Sequence, residues 1–150
     1  MIVDALLQLS AAQAVTSTAV STDTIDLLQN RDVGAGNDLY AIFTVDTAAT
    51  AAGAATVNFQ VISSASASLT SPTVLAQTDA IPKTDLTAGR KPITVRISPQ
   101  VLNSLPIGQR YLGVQYTVGT GPLTAGAFTC YITDSDVSVN KNYPSGFTVY

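Results

Sequence analysis

The chain has no histidine, no glutamate and no tryptophan, a single cysteine, a single methionine, and charge on only 11% of its 150 residues. Each absence excludes a class of function. Without histidine there is no ordinary general base, no imidazole metal ligand and no Ser-His-Asp or Cys-His arrangement. The ten acidic residues are all aspartates, and a carboxylate pair of the glycosidase kind needs two of them held across a bond. Most of them fall in expected loops and strand ends, where aspartate is a turn former. We therefore expect no catalytic residue, no metal ligand set, no cofactor site and no enzyme activity. Cys130 has no partner for an internal disulfide, so cysteine usage carries no sign of an oxidising compartment. The seven Lys and Arg are scattered from Arg31 to Lys141, with net charge −3 and pI about 4.4. A nucleic-acid partner calls for a basic patch, and none is expected. No stretch reaches the roughly 18 apolar residues of a membrane-crossing helix, so no membrane partner is expected either. Ala12-Gln13-Ala14 mimics a signal-peptidase site. No Lys or Arg precedes Arg31, however, and Asp4 interrupts the apolar run, which argues against a secretory signal.

Apolar residues make up 46% of the chain, and disorder requires the opposite balance of high charge and few apolar residues. A domain of this length buries about 68–70% of its unfolded surface, enough for a core without staples. We expect one domain over residues 1–150, with arms over about 1–20 and 137–150. Its surface is Thr, Ser, Ala, Gln and Asn, which is weakly hydrated and suited to lying against other protein.

The most legible stretch is 110–134. Leu112, Val114, Tyr116 and Val118 alternate with Tyr111, Gly113, Gln115 and Thr117. Phe128, Cys130 and Ile132 alternate with Ala127, Thr129, Tyr131 and Thr133. Period-two alternation puts each set on one face of a sheet. The Gly/Pro segment 119–126 between them predicts a hairpin, and pairing Val118 with Gly126 would set Tyr131 over Gly113. Further strands are expected at 39–47 (Leu39, Ala41, Phe43 and Val45 on one face), 56–63 (Val57, Phe59 and Val61 inward), 74–78 and 92–98 (Ile93, Val95 and Ile97 inward). Weaker ones fall within 10–21 and 24–28. Residues 1–9 read as a helical turn or an edge strand. The 48–55 stretch and 29–38 read as loops, and 100–105 as one helical turn. On the opposite face of strand 39–47, Tyr40 and Ile42 also carry bulk, as a central strand would. About eight short strands with Gly/Pro punctuation and no long amphipathic helix predict an all-β, jelly-roll-like sandwich. An immunoglobulin-like sandwich is the alternative, and it lacks the Cys…Trp…Cys spacing.

Few constellations remain. Asp134-Ser135-Asp136 has the oxygen chemistry of a calcium site but no EF-hand continuation. Gly119-Thr120-Gly121-Pro122 and Gly34-Ala35-Gly36 lack the lysine and helix of a phosphate loop. Cys130, on the inward face, reads as a small buried hydrophobe. Tyr40, Tyr111 and Tyr131 are candidates for a sugar-stacking platform. Tyr143, Phe147 and Tyr150, with Pro144 and Gly146, form an apolar strip outside the main strands, and aromatic anchors of this kind favour interfaces.

The two ends of the chain resemble the capsid cement, or decoration, proteins of tailed phages. The N-terminal likeness lies in Met1-Ile2-Val3-Asp4-Ala5, Ser10-Ala11-Ala12-Gln13-Ala14-Val15-Thr16, Ser21-Thr22, Ile25-Asp26-Leu27 and Arg31-Asp32-Val33-Gly34. The C-terminal likeness lies in Asn142-Tyr143-Pro144-Ser145-Gly146-Phe147-Thr148. Leu39-Tyr40, Val45-Asp46-Thr47 and Ser71-Pro72-Thr73 fall between them in the expected order. The resemblance implies a jelly roll made in the host cytoplasm and carried on the outer surface of the virion. It implies a homo-oligomer, dimer or trimer, that clamps neighbouring major capsid subunits against the pressure of packaged DNA. On that view Ile2, Val3, Leu6, Leu7, Tyr143, Pro144, Phe147 and Tyr150 are the contact residues. The competing expectation is a phage tail or receptor-recognition module that binds carbohydrate through the outward tyrosines.

Overall fold

The computed structural model describes residues 4–28, 37–103 and 108–134. Among the described residues ten strands appear in chain order: β1 (Gln8–Ala14), β2 (Ala19–Val20), β3 (Ile25–Asp26), β4 (Leu39–Thr50), β5 (Thr56–Ser64), β6 (Thr73–Gln77), β7 (Ile81–Pro82), β8 (Ile93–Ile97), β9 (Tyr111–Gly119) and β10 (Ala125–Thr133). One-turn 3-10 helices cover Ala5–Leu7 and Lys83–Asp85, and a single helical turn, α1, spans Pro99–Asn103. The strands form two sheets with antiparallel ladders throughout the described residues. One runs β1-β10-β4-β8. The other runs β2-β9-β5-β6, with β3 also on the β9 edge and β7 also on the β5 edge. The short pairs β2/β3 and β6/β7 are edge strands interrupted by corners, which is why ten segments stand where about eight were expected. The protein is an all-β sandwich of two packed sheets.

The expected hairpin does not form. β9 pairs with β5 on one side and with β2 and β3 on the other, while β10 pairs with β4 and β1. The connection between β9 and β10 crosses from one sheet to the other. Its Leu123 is 3% exposed, and its backbone N–H groups at Leu123 and Thr124 bond to Thr16 O (2.8 Å) and Thr50 O (2.7 Å). The physical reason is burial. Both strands carry an apolar face, and crossing sheets turns those faces toward each other instead of side by side. Tyr116 of β9 and Phe128 of β10 accordingly stack across the core, with ring centroids 5.4 Å apart.

The inward faces otherwise agree with the alternation. Ala41, Phe43, Val45, Val57, Phe59, Val61, Ile93, Val95, Ile97, Leu112, Val114, Tyr116, Phe128, Cys130 and Ile132 are all buried in one core. At its centre Phe59 meets Phe43 (5.0 Å), Tyr116 (5.8 Å) and Phe128 (5.2 Å), the last two edge-on, the geometry ring quadrupoles favour. Ile42 is fully buried on the opposite face of β4, as the bulk on both faces of that strand required. β4 continues to Thr50, so the alanine-rich segment expected as a loop is strand over its first residues. The expected N-terminal arm is shorter than residues 1–20. Asp4 caps the first turn through Oδ1 to Leu6 N (2.9 Å), and β1 then becomes a sheet edge with Leu9 and Val15 in the core.

Gly113 lies not under Tyr131 but opposite Ile62 of β5. Its cover is Leu69, from the β5–β6 connection: a Cβ on Gly113 would meet Leu69 Cδ1 at 2.4 Å and Ser21 Oγ at 3.0 Å. Leu69 is only 2% exposed and has little room to withdraw. Gly113→Ala should therefore cost about 1–3 kcal/mol by overpacking. Leu69→Ala in the same chain should make the glycine substitution close to neutral, and denaturant midpoints of the two single variants and the double variant measure this coupling.

Connections gather at the two ends of the sandwich. Links β1–β2, β4–β5, β7–β8 and β9–β10 share one end, tied together by Lys83 N to Ala55 O (3.0 Å) and a Thr50–Thr124 hydroxyl pair (2.8 Å). Links β3–β4, β5–β6 and β8–β9 leave from the other. Residues 4–7 and Asp134 lie there too, because Gln8 pairs with Tyr131 and Tyr40 with Thr133.

Candidate contact surface

The N-terminal turn and the outgoing end of β10 thus sit at the same end of the sandwich. In the turn Ala5–Leu7, Leu7 packs against the core while Leu6 points out and is 84% exposed. A leucine of that exposure beside a docked one gives a fixed apolar projection. Leu28 (65% exposed) and Val74 (44% exposed) are the other large apolar side chains left in solvent among the described residues. Leu28 belongs to the same end, just after β3. Of the expected contact residues, the structure places Leu6 and Leu7 together. Ile2, Val3, Tyr143, Pro144, Phe147 and Tyr150 lie outside the described residues.

The three tyrosines do not form one platform. Tyr40 and Tyr131 share the outer face of the β1-β10-β4-β8 sheet, where Tyr131 faces Ile42 and Tyr40 faces Thr133. Tyr111 belongs to the other sheet, opposite Asp26 and Ser64. Its hydroxyl accepts from Arg110 Nη2 (2.9 Å), the guanidinium lies 4.9 Å from its ring centroid, and Arg110 also pairs with Asp26 (2.9 Å). These partners raise the Arg110 pKa, with the Tyr111 hydrogen bond first. Stacking a sugar on Tyr111 would have to displace the arginine.

The other polar features serve the fold. Ser10 Oγ and the Tyr116 hydroxyl share a 2.5 Å hydrogen bond inside the core, tying β1 to the opposite sheet. Burial raises the Tyr116 phenol, with Cys130 next, against the opposing effect of the Ser10 bond. Burial also raises the Cys130 thiol well above its ordinary value, as suits an inert core residue. Thr129 donates to Asp46 (2.7 Å) and accepts from Ala12 N (2.8 Å), which satisfies the backbone where β1 bulges and Ala12 takes φ 44°. Asp134 is exposed, and its two sequence companions lie outside the described residues. No group of three or more metal-ligating side chains occurs among the described residues, and no helix among them is long and apolar enough to cross a membrane.

One grouping was not anticipated. Lys83, Arg90 and Lys91 lie on the β7–β8 connection with Asp85 as its one carboxylate, at the end opposite Leu6. The density of cations within 83–91 was visible in the sequence. What brings them against β4 was not.

These features define a two-sheet antiparallel β-sandwich with an apolar projection at one end and the Lys83, Arg90 and Lys91 group at the other. Residues 9–132 match the model of the Bbp16 family, which covers most of the chain, and the chain belongs to that family. No curated protein matches it.

Proposed function

We propose that this chain is a structural cement protein of the outer surface of an icosahedral phage head, with no catalytic role. The observation that carries this reading is that both ends of the described chain leave the same end of a closed sandwich, beside the exposed Leu6. Arms rooted at one point can reach across a boundary between two major capsid subunits while the sandwich stays rigid. The strand order supports the finer fold assignment as well. With β2/β3 and β6/β7 counted as interrupted strands, each sheet has four positions, and the chain passes between the sheets in the manner of a jelly roll of two Greek keys.

The mechanism is burial repeated by symmetry. Full burial of a leucine such as Leu6 contributes about 1.5–3 kcal/mol, and Ile2, Val3, Tyr143, Phe147 and Tyr150 add apolar area of the same kind. Ordering a segment costs about 1–2 kcal/mol per residue in backbone entropy, so single arms hold weakly. A homo-oligomer presenting two or three sets of arms to a symmetric shell converts weak single contacts into firm attachment.

Purified protein mixed with heads lacking it should co-sediment saturably and raise the temperature of DNA release. Removing residues 142–150 should weaken attachment about tenfold or more while leaving the denaturation midpoint of the sandwich unchanged. Full occupancy by the truncated protein would remove the C-terminal arm from the mechanism.

A further inference from the structure

The opposite end of the sandwich carries a second surface with different chemistry. The β7–β8 connection lies along the last residues of β4, held by Ala49 N to Leu86 O (2.9 Å) and Gly89 N to Val45 O (3.2 Å). Between them runs an open groove of about 370 Å³ whose walls include Ala48, Thr50, Ala51, Lys83, Leu86 and Thr87. Its lining is mostly apolar and its side chains are small. Lys83 Nζ donates to Ala51 O, and Arg90 Nη1 to Asp85 O (2.6 Å). Lys91 is exposed. The ion pairs among the described residues are Arg96–Asp38 and Arg110–Asp26, both at the other end. Lys83, Arg90 and Lys91 are thus positioned by neutral carbonyls or by nothing; the carboxylates beside them are Asp85 on the same connection and the exposed Asp46, next to Val45 on the adjoining strand. The far end holds Asp4, Asp26, Asp38 and Asp134 against Arg96 and Arg110, so carboxylates are in excess there. Charge is separated along the long axis of a chain whose net charge is −3.

We propose that this end docks an extended acidic segment of a partner protein, with its carboxylates on Lys83, Arg90 and Lys91 and its small apolar side chains in the alanine-lined groove. Charge complementarity selects carboxylates, and the apolar groove selects a peptide over a phosphate backbone, which has no such side chains to offer. A polyanion such as a nucleic acid would also need a larger basic footprint than three side chains. A clamp between two subunits needs contacts on both sides. This surface supplies a second one, well separated from Leu6. That the partner is a shell subunit rests on the cement reading, whereas the acidic-peptide chemistry does not.

The test is an NMR titration of the full chain with a capped hexapeptide alternating Asp and Ala, with a capped Lys/Ala hexapeptide and a DNA duplex as controls. Amide shifts are expected at 48–51 and 83–91 with the acidic peptide alone. They should fade toward 1 M salt, where the screening length falls to about 3 Å. A triple variant, Lys83→Gln with Arg90→Gln and Lys91→Gln, should bind at least about tenfold more weakly. Lys91→Asp alone, whose side chain supports nothing else in the fold, should weaken binding in the same direction. Silent amides at 48–51 and 83–91, or stronger shifts with DNA, overturn the proposal. Heads bound equally well by wild type and the triple variant would keep the cement role and remove this surface from it. Peptide binding without head binding would do the reverse.

Discussion

Phe59→Ala is expected to lower the stability of the sandwich by about 3–5 kcal/mol, a large part of the ~5–15 kcal/mol that holds a typical domain folded. Phe59 is fully buried and meets Phe43, Tyr116 and Phe128, so its removal opens a hole where the two sheets join. The rings around it come from β4, β9 and β10. They cannot all move into the space without shifting strands of both sheets, so collapse of the cavity is only partial. Phe59→Leu keeps most of the volume and should cost clearly less. Urea denaturation of the three proteins gives the comparison. An unfolding free energy for Phe59→Ala within about 1 kcal/mol of wild type would show that this cluster does not organise the core.

Alkaline solution should destabilise the protein chiefly through two fully buried groups, with the partly buried Tyr131 phenol, raised by burial and then by Cys130, adding to them. Cys130 and Tyr116 are both held protonated by burial, their folded pKa values being raised. A raised folded pKa means that the stabilisation is complete below the unfolded pKa and is lost as pH climbs toward the folded one. The unfolded thiol ionises near about 8.5 and the unfolded phenol near about 10. Stability should be flat up to about pH 8, then fall by about 1.4 kcal/mol per pH unit as the unfolded thiol releases its proton, and more steeply once the phenol joins. Denaturant midpoints between about pH 7 and 10.5 measure the slope. Cys130→Ala should delay the fall to about pH 10. An unchanged onset in that variant would assign the alkaline loss to other groups.

Much of the fold was legible because alternation is a local property. Val57, Phe59 and Val61, or Ile93, Val95 and Ile97, declare an inward face whatever strand lies beside them, and all six are in the core. The same locality explains the main error. Alternation in 111–133 reports a face but not a sheet, and a Gly/Pro link serves a hairpin or a crossover equally well. Leu123 was the one available clue, an apolar residue in a loop that a solvent-exposed turn would not need. The Gly113 environment depended on that same choice, since Leu69 is more than forty positions away in sequence. The contact surfaces were legible unevenly. The apolar character of Leu6 and Leu7 is plain in the sequence, but only the 3-10 turn capped by Asp4 decides that one packs and the other projects. Lys83, Arg90 and Lys91 look like an ordinary solvated charge run until the β7–β8 connection is seen to lie against the end of β4.

Residue order is enough for the class of the protein: an all-β core from period-two burial, and little of the usual acid–base chemistry because histidine and glutamate are missing. Only the packed fold shows which strands are neighbours, that both ends of the described chain share one end of the sandwich, and that Lys83, Arg90 and Lys91, outside the ion pairs of the described residues, gather at the other. The division has a physical cause. Which face a side chain buries is set by its own backbone and immediate neighbours, while the sheet it joins is set by how the apolar faces of the whole chain can be covered at once.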